Sequence, residues 1–148
     1  MNINEYRWIN QNEPEIKENQ LLLIDADIIY NRAAFSVENK WDFGGDPLHT
    51  TEDADVIALF NNLLHGITQA LNSTRFILFW TLDKNFRYDI YPMYKANRDS
   101  VRRPTCSSTV KKSLQHRYPS VAVNGLEADD LMGLYSGDNS IIVSDDKD

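Results

Sequence analysis

Acidic residues close apolar runs at fixed places in this chain, and that pattern constrains the fold more than any other feature. Asp25 and Asp27 follow Leu21-Leu22-Leu23-Ile24, Asp83 follows Phe76-Ile77-Leu78-Phe79-Trp80, and Asp145-Asp146-Lys147-Asp148 follows Ile141-Ile142-Val143. A fourth cluster, Glu127-Ala128-Asp129-Asp130, opens a helical pattern. Short apolar runs of this kind read as strands of a parallel sheet buried on both faces. In an open α/β sheet the ligand site lies just beyond the carboxyl ends of such strands, so the four clusters are expected to aim carboxylates at one spot. Carboxylates that close do not all stay ionised unless cations neutralise them, and hard oxygen donors without His or Cys nearby favour Mg²⁺ or Mn²⁺. The expectation is a divalent-metal enzyme acting on phosphates.

With 148 residues, 42% of them hydrophobic, the chain supports one modest core, and a single domain is expected. No apolar stretch is long enough to span a bilayer, and Met1-Asn2-Ile3-Asn4-Glu5 lacks the basic and apolar regions of a signal peptide. A soluble, cytoplasmic protein with no membrane partner is expected. The lone Cys106 excludes an internal disulfide and has no zinc-type spacing around it.

A net charge of −7 argues against a nucleic-acid binder until the charges are placed along the chain. From Lys84 to Arg117 nine basic residues face two acids, a local charge of +7, while the rest carries 6 basic and 20 acidic residues, or −14. A basic segment beside an acidic metal site suits binding and cutting a polyanion: cations hold the backbone while carboxylate-bound metals sit at one phosphate.

Residues 1–19 read as an N-terminal arm or short helix, and 20–148 as the folded domain. Gln20 to Asp25 predicts the first strand and Ile28 to Val37 the helix after it, the strand-to-helix step of an α/β layer fold. Trp41 to Pro47 reads as a loop. Val56, Leu59, Phe60, Leu63, Leu64, Ile67 and Leu71 recur at helical spacing behind a cap at Thr51-Glu52-Asp53. Arg75 to Thr81 predicts a second strand. Leu82 to Pro104 keeps neither period and reads as a long functional connection, with Phe86, Tyr88, Tyr91 and Tyr94 interleaved with Lys and Arg. A basic helix over Thr105–Tyr118, a strand at Ser120–Val123, a helix over Leu126–Tyr135 and a last strand at Ser140–Val143 complete the pattern. The stop at Asp148, directly after an acidic cluster, suggests an incomplete domain, since termini fray unless pinned.

Taken in order, Ile24-Asp25-Ala26-Asp27, Tyr94-Lys95-Ala96-Asn97-Arg98, Leu126-Glu127-Ala128-Asp129-Asp130 and Ser144-Asp145-Asp146-Lys147-Asp148 resemble the 5′→3′ exonuclease and flap-endonuclease family, most of all the phage-type exonucleases. The likeness runs from about residue 20 to the end. It implies an α/β fold with a PIN-like (5′-nuclease) core: a mostly parallel twisted sheet flanked by helices, with a basic arch or loop over the site. It also implies two Mg²⁺ or Mn²⁺ ions and DNA as partner, at 5′ ends, flaps or junctions. If phage-encoded, the protein would work in the cytoplasm of an infected bacterial host cell.

By motif, the resemblance assigns Asp25, Asp83, Glu127 and Asp129 to a first metal, and Asp129 or Asp130 with Asp146 and Asp148 to a second. Lys95 and Arg98 become catalytic contacts to the scissile and adjacent phosphates. Tyr94, and less so Tyr91, stack on an unpaired base or else pack the loop. Arg102, Arg103, Lys111 and Lys112 supply attraction to the nucleic-acid backbone, and Asp27 either supports the ligands or caps the following helix. The family continues into a helix-hairpin-helix part absent from this sequence, which suggests a C-terminal part or a second polypeptide supplying it.

Other readings compete. Asp25-Ala26-Asp27 resembles the nucleophile motif of haloacid-dehalogenase-type phosphatases, but Ile29 stands where that motif expects Thr or Val, and the basic segment is left unexplained. A non-catalytic nucleic-acid-binding or assembly subunit would keep the fold without turnover. A PIN-type ribonuclease would share core and metal chemistry.

Overall fold

The computed structural model describes residues 18–83, 86–96 and 101–145. Residues 1–17, most of the expected arm, lie outside the described residues. The described elements run β1 (Leu21–Asp25), α1 (Ala26–Ser36), β2 (Asn39–Trp41), β3 (Leu48–Thr50), α2 (Asp53–Ala70), β4 (Phe76–Phe79), α3 (Phe86–Ile90), α4 (Ser108–Arg117), β5 (Ser120–Val121), α5 (Ala128–Tyr135) and β6 (Ser140–Val143).

Four strands form a parallel sheet in the order β5-β4-β1-β6. The chain steps outward from β1 to β4 and β5, then crosses to β6 on the other side of β1, so the strand order reverses beside β1. In doubly wound sheets that reversal opens the ligand crevice. The period of two along β1 divides the core: Leu22 and Ile24 join α1, α2 and α4 on one face, while Leu23 meets α5 on the other. Both faces are therefore apolar, which is why the strands appear as unbroken apolar runs. On the larger face Trp80 stacks on Phe60 at 6.0 Å, and its indole N–H donates to Ser120 Oγ at 3.1 Å.

Three local expectations change. The loop expected at 41–47 belongs to a hairpin in which β2 pairs antiparallel with β3, and Gly44 takes φ +87° in its turn. Three-residue strands are too short for alternation to show in sequence. The connection over 82–104 contains the short helix α3. The cap of α1 is Asp25, which starts the helix at Ala26 rather than Ile28.

Candidate active site

Asp25 ends β1 and caps α1, its Oδ1 accepting the N–H groups of Asp27 at 3.2 Å and Ile28 at 3.4 Å. The side of the molecule it faces is crowded with negative charge. Burial first, then the charges of Asp27 and Asp129, push its carboxyl from the usual 3.8 to about 7, against the two amide donors. Asp27 spans the gap to the next elements: Oδ2 accepts Thr81 N–H at 2.6 Å and Oδ1 lies 2.7 Å from Lys111 Nζ on α4. Thr81 then accepts Ala128 N–H through Oγ1 at 3.0 Å. One threonine thus fastens the ends of β1, β4 and α5 to one another.

Glu127 caps α5 and is buried. Its Oε1 lies 2.7 Å from Lys95 Nζ, and Tyr94 OH donates to Oε2 at 3.4 Å. Asp130, three residues on, takes both arms of the Arg87 guanidinium at 2.7 Å and accepts Glu127 N–H at 3.1 Å. That bidentate pair holds the Asp130 carboxyl below its usual range. Gly125, at φ +92°, turns the chain into this helix and its carbonyl accepts Phe86 N–H at 2.7 Å. The base of the basic connection is thereby tied to the start of α5. Lys95 itself sits at φ +55°, a left-handed backbone that side chains other than glycine disfavour.

Between these two helix ends opens a cleft of about 460 Å³. The expected ligands Asp25, Asp83, Glu127 and Asp129 all line it, together with Lys95, Arg103 and Lys111. Asp130 is turned to Arg87, so of the two alternatives for a second ion Asp129 is the one on the cleft wall. Arg102 is drawn away to Glu38, and Lys112 is exposed on α4. Tyr94 is half-buried against Tyr88, ring centroids 5.6 Å apart, which is the packing alternative, whereas Tyr91 is exposed. Arg98, Asp146 and Asp148 lie outside the described residues.

The cation count of the basic segment misled in one respect: Arg87, Lys95, Arg102 and Lys111 each pair with a carboxylate of the acidic remainder. Sequence reasoning also missed Thr81 and Arg87. Thr81 carried a signal, closing an apolar strand two residues before Asp83; the partner of Arg87, 43 positions away, carried none.

The wall offers carboxylate oxygens, the donor set of a hard divalent cation. As the side chains stand, no three acidic, histidine or cysteine groups among the described residues are gathered around one point. The ion pairs explain this, since Lys95 draws Glu127 and Lys111 draws Asp27. Ammonium groups thus lie beside Glu127 and Asp27, whereas the Asp25 carboxyl, buried beside Asp27 and Asp129, is pushed up instead.

A parallel sheet with helices on both faces and an acid-walled cleft at its carboxyl end defines a PIN-like α/β domain. A model of the N-terminal, resolvase-like domain of 5′-3′ exonucleases matches residues 20–148, and the chain belongs to that family. The crystal structure of the T5 D15 protein co-crystallized with metal ions is similar in fold, with a TM-score of 0.51 at 17% identity. The match covers 86% of this chain and 48% of that one, so the chain spans about half the length of that relative.

Proposed function

We propose that the chain is the catalytic domain of a divalent-metal-dependent 5′→3′ exonuclease or flap endonuclease that hydrolyses DNA phosphodiesters. The observation that carries the reading is the cleft itself, where carboxylates from the ends of β1 and β4 and the start of α5 meet Lys95, Arg103 and Lys111. Family membership supports it, and T5 D15 is a protein co-crystallized with metal ions.

In this reading Asp25, Asp83, Glu127 and Asp129 would hold a first Mg²⁺ or Mn²⁺, and Asp129 with Asp146 and Asp148 a second. The ions would supply Lewis-acid polarisation of the phosphate and a water of lowered pKa. The chain's own groups position the substrate. Lys95 exchanges Glu127 for a phosphate oxygen, which both frees Glu127 for its ligand role and neutralises the reacting diester together with Arg98. Arg103 and Lys111 hold the neighbouring backbone, with Arg102 and Lys112 adding attraction at longer range. Tyr94 leaves its packing against Tyr88 to stack on an unpaired base.

The test is cleavage of a labelled 5′-flap duplex with Mg²⁺ or Mn²⁺, by the chain alone and by any longer form of it, each beside Asp25→Ala. Metal-dependent cutting abolished by the substitution is expected. Salt-sensitive binding without product, unchanged by Asp25→Ala, would favour the non-catalytic subunit instead, a reading that draws on the ion pairs closing Glu127 and Asp27.

A further inference from the structure

We infer that Glu38 is a positioning residue that pins the root by which the basic connection enters α4, and so fixes the aim of the cations presented to DNA. The identity of the polyanion rests on the nuclease reading above; the anchoring does not.

Glu38 sits between α1 and β2, where a glutamate is ordinarily solvated, yet its side chain is only 5% exposed. A carboxylate withdrawn that far needs donors from the protein. Oε1 accepts Thr105 N–H at 2.9 Å, the Thr105 hydroxyl at 3.2 Å and Arg102 Nη1 at 3.0 Å. Oε2 lies 2.8 Å from Arg102 Nη1 and 3.5 Å from His49 Nδ1 on β3. The Arg102 guanidinium also lies over the Phe35 ring of α1 at 5.0 Å. Two residues beyond Thr105, Ser107 N–H donates to Asp53 Oδ1 of α2 at 3.0 Å.

One carboxylate therefore joins α1, the hairpin and the stretch that feeds α4. Arg102 is committed to Glu38, and its neighbour Arg103 lines the cleft. Loss of the anchor frees Arg102 without removing any positive charge, which separates positioning from plain attraction. If Arg102 acted only through its charge, releasing it would tighten DNA binding; if its held place orients Arg103, releasing it weakens binding.

The experiment compares the native chain with Glu38→Gln and Glu38→Asp. Hydrogen exchange at the Thr105 amide should quicken about tenfold in Glu38→Gln, the loss of charge-assisted bonds, while the Leu114 amide inside α4 stays protected. Dissociation constants for a labelled 5′-flap duplex in Ca²⁺ should rise about five- to tenfold, with the Mg²⁺-dependent rate at saturating DNA within about twofold of native. Glu38→Asp should recover part of both. Should Glu38→Gln not fold, Arg102→Lys keeps the charge but loses the guanidinium's contacts to Glu38 and the Phe35 ring, and is held to the same readouts. Unchanged exchange overturns the anchor, and faster exchange with unchanged DNA affinity overturns its positioning role. If the native chain neither binds nor cuts the duplex, the nuclease reading has failed, and the exchange result alone upholds or overturns the anchor.

Discussion

At the N-terminus of α1, Asp25 is buried with amide donors only and its carboxyl rises to about 7; across the same cleft, at the N-terminus of α5, Asp130 meets a guanidinium and its carboxyl falls. Both residues stabilise a helix start, so capping is not what separates them. The difference is burial beside Asp27 and Asp129 on one side and a cation on the other. Arg87 neutralises the α5 side within the chain, whereas among the described residues no cation pairs with Asp25. An acid left in that condition destabilises the empty protein and favours any positive charge that reaches it. The α1 side therefore carries uncompensated negative charge, as the proposed metal role of Asp25 requires, and the Arg87–Asp130 pair is a strut.

The comparison breaks most readily at Asp25. Its folded carboxyl keeps a proton to about pH 7 while the unfolded one releases it near 3.8. That contribution to stability is fully present below the lower value and is lost as pH rises through the higher one. Asn does not titrate, and its oxygen can still accept from Asp27 and Ile28. Asp25→Asn should therefore match the native chain near pH 4 and exceed it by about 2–4 kcal/mol at pH 8 in EDTA, read from thermal melts. Saturating Mg²⁺ should shrink or reverse that gain, since the cation relieves only the native carboxylate. Activity should move oppositely, falling more than about a hundredfold, beyond the loss usual for residues that merely orient a ligand. Equal melts at pH 4 and pH 8 would mean that Asp25 is not frustrated.

Much of this contrast was legible in the sequence, and what was not has a common cause. β1 and β4 stood out because burial on both faces leaves apolar runs, β6 because Ile141-Ile142-Val143 is apolar even though Ile142 is exposed, and α2 because its stripe repeats over eighteen residues. The five carboxylates on the cleft wall, Asp25, Asp27, Asp83, Glu127 and Asp129, followed from their places after strands or at a helix start. The partners of those acids did not follow. Arg87 and Asp130 are 43 positions apart and Glu38 and Arg102 are 64 apart, so only the tertiary fold joins them. Counting charges by segment therefore overstated how much positive potential the connection presents. The hairpin and the five-residue α3 escaped because each spans fewer than two full periods of its own structure, too few to reveal it.

The strut should show the opposite pH signature. Arg87→Met strands Asp130 and loosens the turn that carries Glu127, at a cost of about 1–2 kcal/mol for a partly exposed charge-assisted pair. Because the Asp130 carboxyl is depressed, that contribution is present above the unfolded value of 3.8 and is lost as pH falls through the folded one. Urea titrations of native and variant chains should differ at pH 7 and converge in acid. A difference that instead grew toward low pH would remove the strut from the α5 side.

The smallest effect concerns Lys95, which bridges the two behaviours: it is a cation committed to Glu127 that the proposed reaction requires at a phosphate. Its φ of +55° costs a side chain about 1 kcal/mol, and the 2.7 Å contact to Glu127 helps to hold it there. Strain of this kind lowers the barrier to letting go, because leaving Glu127 permits the backbone to relax. Lys95→Ala and Lys95→Gly both delete the ammonium and should lose cleavage to the same extent, but only glycine adopts the left-handed backbone freely. Lys95→Gly should accordingly be the more stable of the two by about 0.5–1 kcal/mol in thermal melts. Alanine as stable as glycine would show that no strain is stored at this position, and the exchange of Glu127 for phosphate would then have to be driven by the substrate alone.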